Sequence, residues 1–153
     1  MARRARGKSR AARAERDGAG LPAPIAAWFE GRGWTPRAHQ LRLIEKSREK
    51  RDTLLIAPTG AGKTLAGFLP SLIDLTAREN VVPEQGSSLH TLYISPLKAL
   101  AVDIQRNLTQ PVAEMGLDIS IETRSGDTST GKRQRQRVKP PNILLTTPEQ
   151  LAL

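Results

Sequence analysis

The feature that most constrains this chain is a short apolar run followed at once by a glycine-rich loop. Residues 54–57 form a continuous apolar run, bounded by Asp52 and Pro58, that is too short for a helix. Such a run predicts a strand that is buried on both faces of a sheet. The loop that follows reads APTGAGKT over residues 57–64, and a helical pattern begins at its end. A strand, a glycine-rich loop and a helix in this order are typical of a phosphate-binding loop.

The residue types in this loop suit a nucleotide and its metal ion. Glycines allow a backbone path in which successive N–H groups turn inward, and the helix N-terminus adds its positive end. A lysine ammonium can bind the β and γ phosphates, and the hydroxyl of Thr64 can bind Mg²⁺. We therefore predict that Lys63 and Thr64 are catalytic, with Thr64 also the Mg²⁺ ligand. The predicted nucleotide-binding residues of the loop are Pro58, Thr59, Gly60, Ala61, Gly62, Lys63 and Thr64.

The loop alone does not define the class of protein, because small-molecule kinases, switches and motors all use it. Ala57 also stands where the usual pattern has its first glycine. The alternative interpretation is a glycine-rich turn between a strand and a helix, in which Lys63 is merely exposed to solvent.

The rest of the chain alternates between helical and strand patterns. Helices are predicted at 21–30, 36–50, 63–75 with a kink at Pro70, and 96–113, and a further helix opens at Pro148. Strands are predicted at 89–94, 117–122 and 142–146, and a loop at 80–88. This alternation predicts an α/β fold with a parallel sheet and helices on both of its faces.

The excess of positive charge is confined to two segments. The chain has 24 Lys and Arg residues against 15 Asp and Glu residues, which gives a formal net charge of +9. Residues 1–20 contain seven basic and two acidic residues, which predicts a disordered basic tail or, alternatively, an arm that binds nucleic-acid phosphates. Residues 131–139 contain five basic residues and no acidic ones, and we expect a solvated loop or short helix there.

Composition excludes several other classes. The chain has no Cys, which excludes disulfide scaffolds and thiolate metal sites, and its two His residues make a histidine-based metal centre unexpected. No apolar stretch reaches the length of a membrane span, and the N-terminus lacks the apolar stretch of a secretory signal. We therefore expect a cytoplasmic protein without a membrane partner.

Strings on both sides of the phosphate loop indicate its class. They read GWTPRAHQ at 33–40, SPLKAL at 95–100 and TTPEQL at 146–151. In order and interval they resemble the Q motif, motif Ia and motif Ib of a superfamily-two helicase, with the loop as motif I. The strings YISPLKALAVDIQRNL and RSGDT are most similar to large helicase-related (Lhr-type) DEAD/DEAH proteins, in particular the bacterial ligase-associated branch. The resemblance covers residues 21–153.

The resemblance implies a RecA-like motor domain and assigns further site residues. Gln40 would hydrogen-bond the adenine edge and so select ATP, while Trp34 or Phe29 would pack beside the base or serve the core. A nucleic-acid strand would lie along a face whose motif positions are Ser95, Pro96, Lys98, Thr147 and Glu149. The alternative for these residues is a capping role at helix starts. The turn at Gly126 and Asp127 resembles a family turn but is equally consistent with a common Asx turn.

The acidic box and second motor domain of such helicases have no counterpart in the sequence, so we expect an amino-terminal piece of a RecA-like domain, residues 21–153, truncated before that box. Alone it should bind nucleotide weakly and hydrolyse little ATP, and an exposed sheet edge should favour self-association. The intact protein is predicted to be an ATP-dependent DNA helicase in DNA repair, with DNA favoured over RNA. Ligase or nuclease partners are implied by the resemblance only. The alternatives are a small-molecule kinase and a non-catalytic basic module that binds nucleic acid.

Overall fold

The computed structural model describes residues 20–79 and 89–151. The predicted tail, apart from Gly20, and the predicted loop at 80–88 lie outside the described residues. The helices in the described part are α1 (Ala23–Gly31), α2 (Ala38–Arg48), α3 (Lys63–Glu79), α4 (Lys98–Glu114) and α5 (Thr130–Val138). The strands are β1 (Thr91–Ile94), β2 (Ile121–Arg124) and β3 (Ile143–Thr146), and a short 3-10 helix, η1, spans Pro148–Gln150.

The chain divides into two compact units, and the boundary falls inside α3, between Ile73 and Asp74. The first unit contains α1, α2, the phosphate loop and the beginning of α3. The second contains the end of α3 and all three strands with α4, α5 and η1.

Helical spacing of apolar residues explains the first unit. In α1, Ile25, Trp28 and Phe29 are buried, as the predicted stripe requires. In α3, the buried residues of this unit are Ala66, Phe68, Leu69 and Leu72. The helix continues through Pro70 and extends to Glu79, four residues beyond its predicted end.

The predicted start of α2 is corrected by the structure. The sequence places Thr35 before the helix, whereas α2 begins at Ala38 with Arg37 as its N-cap. The backbone N–H of Arg37 donates to Oε1 of Gln40 at 2.8 Å. This side chain satisfies a donor that the helix leaves unpaired, which fits an N-cap three residues before the glutamine.

A three-stranded parallel sheet organises the second unit. The strand order is β1-β3-β2, so β3 is the central strand. Tyr93 and Thr123 both pair with Leu145, which fixes the register of the two ladders. Helix α4 packs on β2 and β3. It buries Ala101, Ile104, Leu108 and Val112, which recur at helical spacing. The prediction of an α/β fold with a parallel sheet is thus confirmed.

The predicted strand at 54–57 is wrong. No strand forms there, and the side chains of Leu54 and Ile56 are 84% and 85% exposed. A strand needs a neighbour for its backbone hydrogen bonds, and the strands of the described residues pair only with one another. An apolar run predicts burial only where such a neighbour is available.

Two other predicted elements are shorter than expected. The strand predicted at 117–122 is Ile121–Arg124 in the structure, so it begins four residues later and ends two residues later than predicted. Just before it, the Ser120 backbone N–H donates to Oδ1 of the Asn142 side chain at 2.8 Å. The helix predicted to open at Pro148 is the 3-10 helix η1. The basic segment at 131–139 does form a short helix, α5, as expected.

No helix among residues 20–79 and 89–151 is long and apolar enough to cross a membrane.

Helix α5 is joined to β2 by a polar contact around Glu122. One carboxylate oxygen, Oε2, accepts hydrogen bonds at 2.8 Å from Arg135 and from Gln136. Burial raises the pKa of Glu122, but these hydrogen bonds and the charges of Arg135 and Lys132 together outweigh burial and lower the pKa below its ordinary value. The ionised carboxylate is therefore the form that holds α5 on β2.

Leu145 and Leu92 form a matched pair that tests the central role of β3. Leu145 is fully buried, whereas Leu92 on the edge strand β1 is 42% exposed. We expect Leu145→Ala to lower the free energy of unfolding by about 2–5 kcal/mol, because it leaves a cavity. Leu92→Ala should cost about 1 kcal/mol or less. Urea unfolding followed by circular dichroism measures both, and equal losses would contradict a core centred on β3.

Glu122→Gln tests the polar contact between α5 and β2. Since the folded pKa lies below the ordinary carboxyl value, the ionised form stabilises the fold above that ordinary value, and this stabilisation disappears as pH falls through the folded pKa. The difference in unfolding free energy between wild type and Glu122→Gln should therefore be constant near neutral pH and shrink below about pH 4. A difference that grows on acidification would contradict this contact. Urea titrations at a series of pH values measure it.

Candidate functional site

The phosphate loop lies in the first unit and leads directly into α3. Gly60 and Gly62 have φ angles of 77° and 72°, in the left-handed region that glycine adopts without strain. A Cβ added at Gly60 would meet nothing within 4 Å, so backbone conformation and not space favours glycine there. The Ala66 backbone N–H donates to the Gly62 carbonyl at 2.9 Å and so starts the hydrogen bonding of α3.

The Lys63 ammonium is held inside this loop. Its Nζ donates to the carbonyl oxygens of Ala57 and Pro58, both at 2.8 Å. Carbonyl oxygens carry no full negative charge, so these two contacts do not neutralise the ammonium. Thr64 is the second residue of α3 and is exposed. Left-handed glycines, an unneutralised ammonium and a helix N-terminus together fit a polyphosphate group.

Gln40 and Arg37 lie against the phosphate loop. The Gln40 side chain is buried, and a Cβ added at Gly62 would lie 3.2 Å from its Nε2. Nη1 of Arg37 donates to the Gly60 carbonyl at 3.1 Å. The start of α2 is therefore fastened to the loop by one residue and packed against it by another. Since Oε1 of Gln40 accepts from the Arg37 backbone, this oxygen caps α2, and contact of Gln40 with adenine stays a prediction.

The two aromatic candidates differ in exposure. Phe29 is buried, in agreement with a core role. Trp34 is 52% exposed and lies edge-on to Trp28, with ring centroids 5.6 Å apart. The guanidinium carbon of Arg32 lies 5.0 Å from the centre of the Trp34 ring. Trp34 is therefore the candidate with a face open to solvent.

The three strands end level with one another in the second unit. Ile94, Thr146 and Arg124 are paired at the last position of β1, β3 and β2. The residues that follow leave the sheet at one edge, which we call the strand-end edge and define as residues 95–98, 124–128 and 147–149. Such an edge in a parallel sheet collects ligand-binding groups.

Ser95 and Thr147 directly follow the paired strands β1 and β3, and both lie at this edge. Ser95 is buried, and its backbone N–H donates to the Thr146 carbonyl at 2.9 Å. Its Oγ accepts from the backbone N–H of Leu97 at 3.2 Å, so the side chain shapes the turn into α4. Thr147 is buried one residue beyond β3, and Pro96 is exposed beside Ser95.

Lys98 and Glu149 have different surroundings at the strand-end edge. The Lys98 ammonium forms an ion pair with the Asp127 carboxylate, which connects α4 to the turn after β2. Hydrogen bonds from the Thr147 side chain and from its own backbone N–H lower the pKa of Glu149. The lowered pKa keeps this carboxylate ionised in the first turn of η1, whose N-cap residue is Thr147. Contact of Glu149 with nucleic acid stays a prediction.

Sequence reasoning missed Arg124 and Arg133. Arg124 is the last residue of β2, and its Nε is buried without a hydrogen-bond partner in the described part of the chain. The signal was available in the string RSGDT, in which the arginine lies two residues after the strand predicted at 117–122. Arg133 stabilises the turn at 125–128 through three hydrogen bonds to backbone carbonyls. No local sequence pattern distinguishes it from the neighbouring basic residues.

A second segment repeats the residue spacing of a phosphate loop, but its backbone carbonyl oxygens face a cation. Residues 126–132 read GDTSTGK, with both glycines and the lysine at the usual intervals, and lie between β2 and α5. Neither Gly126 nor Gly131 has a positive φ, and Gly131 lies within α5. Carbonyl oxygens of this turn converge on Arg133. A loop that directs carbonyl oxygens inward binds a cation, here its own arginine, and does not fit a phosphate.

Across the described ranges, no group of three acidic, His or Cys side chains could hold a metal ion. Thr64 stays the predicted protein ligand of Mg²⁺ at the phosphate loop.

The fold and the loop together define a phosphate-loop protein of the α/β class. A family model described as DEAD/DEAH box helicase matches residues 37–153. The chain belongs to the DEAD/DEAH box helicase family, and nucleotide binding is the property that this family implies for the loop.

Individual relatives are of the Lhr type. The chain is 37% identical over 145 residues to the ATP-dependent helicase Lhr-Core of Methanocaldococcus jannaschii, covering 87% of this chain and 17% of the relative. It is 45% identical over 136 residues to the Lhr helicase/probable uracil glycosylase of Mycolicibacterium smegmatis, covering 82% and 9%. The predicted resemblance to Lhr-type helicases is confirmed, whereas the ligase-associated branch stays a prediction.

Solved structures of related helicases share the fold. The structure of the Mycobacterium smegmatis helicase Lhr bound to single-stranded DNA and AMP-PNP is similar with a TM-score of 0.73 and 39% identity, over 88% of this chain and 18% of that one. The helicase MrfA bound to DNA and AMPPNP is similar with a TM-score of 0.74 and 32% identity, over 86% and 17%. The chain thus spans less than a fifth of the length of these relatives.

Gly60 and Gly67 form a matched pair that tests the loop conformation. A Cβ added at either glycine would meet nothing within 4 Å, but Gly60 has a positive φ and Gly67 lies within α3. Gly60→Ala should destabilise by about 1–2 kcal/mol because alanine is strained in the left-handed region. Gly67→Ala should stabilise by about 0.5–1 kcal/mol because alanine favours the helix. Thermal and urea unfolding measure both variants, and effects of the same sign would contradict the loop geometry.

Proposed function

We propose that this chain carries the ATP-binding part of an ATP-dependent DNA helicase, and that its strand-end edge contacts one strand of the nucleic acid. The observation that carries the proposal is the phosphate loop, which combines two left-handed glycines with an ammonium bound only by backbone carbonyls in the described part of the chain. Family membership supports the helicase assignment and does not favour a small-molecule kinase or a non-catalytic basic module.

At the phosphate loop, the proposal gives each side chain a separate task. Lys63 exchanges the carbonyl oxygens of Ala57 and Pro58 for phosphate oxygens, a favourable exchange because phosphate carries full negative charge. Thr64 offers its hydroxyl to Mg²⁺, which keeps most of its remaining sites for water and phosphate oxygens. Gln40 binds the adenine edge. ATP hydrolysis supplies the free energy for movement along the strand.

At the strand-end edge, Lys98 is the cation assigned to a backbone phosphate, and its side chain is 50% exposed. Arg124 lies nearby at the end of β2, where its Nε is buried without a hydrogen-bond partner in the described part of the chain. Ser95, Pro96 and Thr147 lie in the turns beside these cations: Ser95 and Thr147 are buried, and Oγ of Ser95 accepts from the Leu97 backbone N–H at the start of α4. The helicases solved with single-stranded DNA and with DNA support DNA as the partner.

Other partners have less support. The names of the compared helicases mention no ligase or nuclease, so those partners stay predictions that rest on the resemblance. The names of the two solved helicase structures mention DNA, which favours DNA over RNA. They do not mention a duplex substrate, a direction of translocation or a pathway.

Lys63→Ala tests nucleotide binding, with Arg42→Ala as its control. Both variants remove one exposed cation from the first unit, but only Lys63 lies in the loop. Titration of a fluorescent ATP analogue in Mg²⁺ should show a loss of about 10- to 100-fold in affinity for Lys63→Ala, as expected for a charge-assisted contact, and little change for Arg42→Ala. Equal affinities would contradict the nucleotide site.

The helicase part of the proposal needs the full-length protein. Its ATPase rate is measured with and without single-stranded DNA, and with single-stranded RNA of the same sequence. We expect stimulation by DNA that is abolished by Lys63→Ala. Nucleotide binding without stimulation by either nucleic acid would leave the phosphate loop intact as a site and overturn the motor.

A further inference from the structure

Arg133 lies under the turn at 125–128 and is bound to it by backbone carbonyls. Its Nε donates to the Thr128 carbonyl at 2.8 Å, and its Nη2 donates to the carbonyls of Ser125 and Gly126 at 3.2 and 2.8 Å. The side chain is partly buried, and none of these acceptors is a carboxylate. The three hydrogen bonds of the Arg133 guanidinium therefore stabilise the conformation of one turn.

The turn has a second fastening that does not involve Arg133. Oγ1 of Thr128 accepts from the Ser125 backbone N–H at 2.9 Å, and the Thr128 N–H donates back to the Ser125 carbonyl at 3.1 Å. Together these bonds close the turn, and the arginine fills its inner side. The outer side carries Asp127, which is 74% exposed in its side chain.

Within the strand-end edge, Asp127 connects the turn to the start of α4. Its carboxylate pairs with the Lys98 ammonium at the start of α4. Lys98 has a flexible four-carbon side chain, and fixing it in one conformation when it binds a phosphate costs conformational entropy. A carboxylate held in one place reduces that cost in advance, provided the turn that carries it does not move.

We propose that Arg133 is a positioning residue for strand binding: it holds the 125–128 turn so that Asp127 keeps the Lys98 ammonium at the strand-end edge, where a backbone phosphate binds it. This inference rests on the proposed function. It also explains why one residue of the basic segment at 131–139 points toward backbone carbonyls, while Arg137 on the same helix is exposed.

Removing Arg133 should loosen the turn more than it changes the charge of the surface. Three carbonyls would lose their donor, and the turn would keep only its internal hydrogen bonds at Thr128. The Arg137→Ala variant removes the same charge from the same helix without touching the turn. The two variants therefore separate positioning from the general attraction between a basic surface and phosphate.

The experiment measures binding of fluorescent single-stranded DNA by the full-length protein over a range of salt concentrations. Arg133→Ala should weaken binding about three- to tenfold, and Arg137→Ala should change it less. Lys98→Ala should weaken binding and reduce the salt slope by about one. In the Lys98→Ala background, Arg133→Ala should have no further effect, because its route to the phosphate passes through Lys98.

Three further variants keep the test decisive. Arg133→Lys retains the charge but lacks the planar guanidinium whose Nε and Nη2 bind the three carbonyls, and should lie between wild type and Arg133→Ala. If Arg133→Ala fails to fold, Thr128→Ala removes the second fastening of the same turn and should weaken binding in the same Lys98-dependent way. Asp127→Asn should also weaken binding. Higher affinity for Asp127→Asn would show that the carboxylate competes with phosphate and would overturn the proposal.

The outcomes distinguish this inference from the proposed function. If the wild-type protein binds no single-stranded DNA, the strand-binding function fails and this inference fails with it. If Lys98→Ala weakens binding but Arg133→Ala matches wild type or Arg137→Ala, the strand-end edge stands and the positioning role alone is overturned. Additive losses in the Lys98→Ala, Arg133→Ala double variant would also overturn it, since Arg133 would then act by another route.

Discussion

The parallel register of β3 between β1 and β2 is the constraint on which the strand-end edge depends. Because Thr146 pairs with Ile94 on one side and Arg124 on the other, the three strands end at the same level of the sheet. A slip of one residue would turn alternate side chains to the opposite face and would displace the turns after the strands. The burial of β3 makes such a slip costly, since Ile143 and Leu145 are fully buried. Core packing thereby sets the geometry of a polar edge.

Two segments of this chain show that glycine and lysine spacing does not by itself make a phosphate site. The loop at 57–64 departs from the usual pattern at Ala57, yet its central glycines adopt positive φ and an ammonium lies within it. The segment at 126–132 keeps the spacing, yet its neighbouring carbonyls converge on Arg133. The sign of φ and the direction of the backbone dipoles decide which ion a turn accepts. Both depend on the surrounding residues, and a pattern of residue types does not contain them.

The helices could be predicted well because their signal is local. The apolar stripes of α1 and α4 are visible within one or two turns of sequence, and both helices form within a few residues of their predicted bounds. The absence of a strand at 54–57 could not be predicted from those residues, because a strand depends on a neighbour that the local pattern does not reveal. The phosphate loop was found from its pattern, and its closeness to Gln40 was implied by resemblance to a family. The contact between Lys98 and Asp127 joins residues far apart in the chain, so only the fold could bring it to light.

Charge in this protein is partly structural, and this changes how a basic segment should be interpreted. The segment at 131–139 supplies five of the 24 basic residues, and an electrostatic argument from composition would count all five toward nucleic-acid binding. Arg133 is committed to backbone carbonyls, and Arg135 is paired with Glu122. A guanidinium bound in this way still adds to the field around the protein, but it cannot turn to a phosphate without breaking the turn or releasing α5 from β2. Direct phosphate contacts must therefore come from cations that can bind a phosphate without breaking a turn or a helix contact, and the number of such contacts, not the net charge, sets the salt dependence of binding.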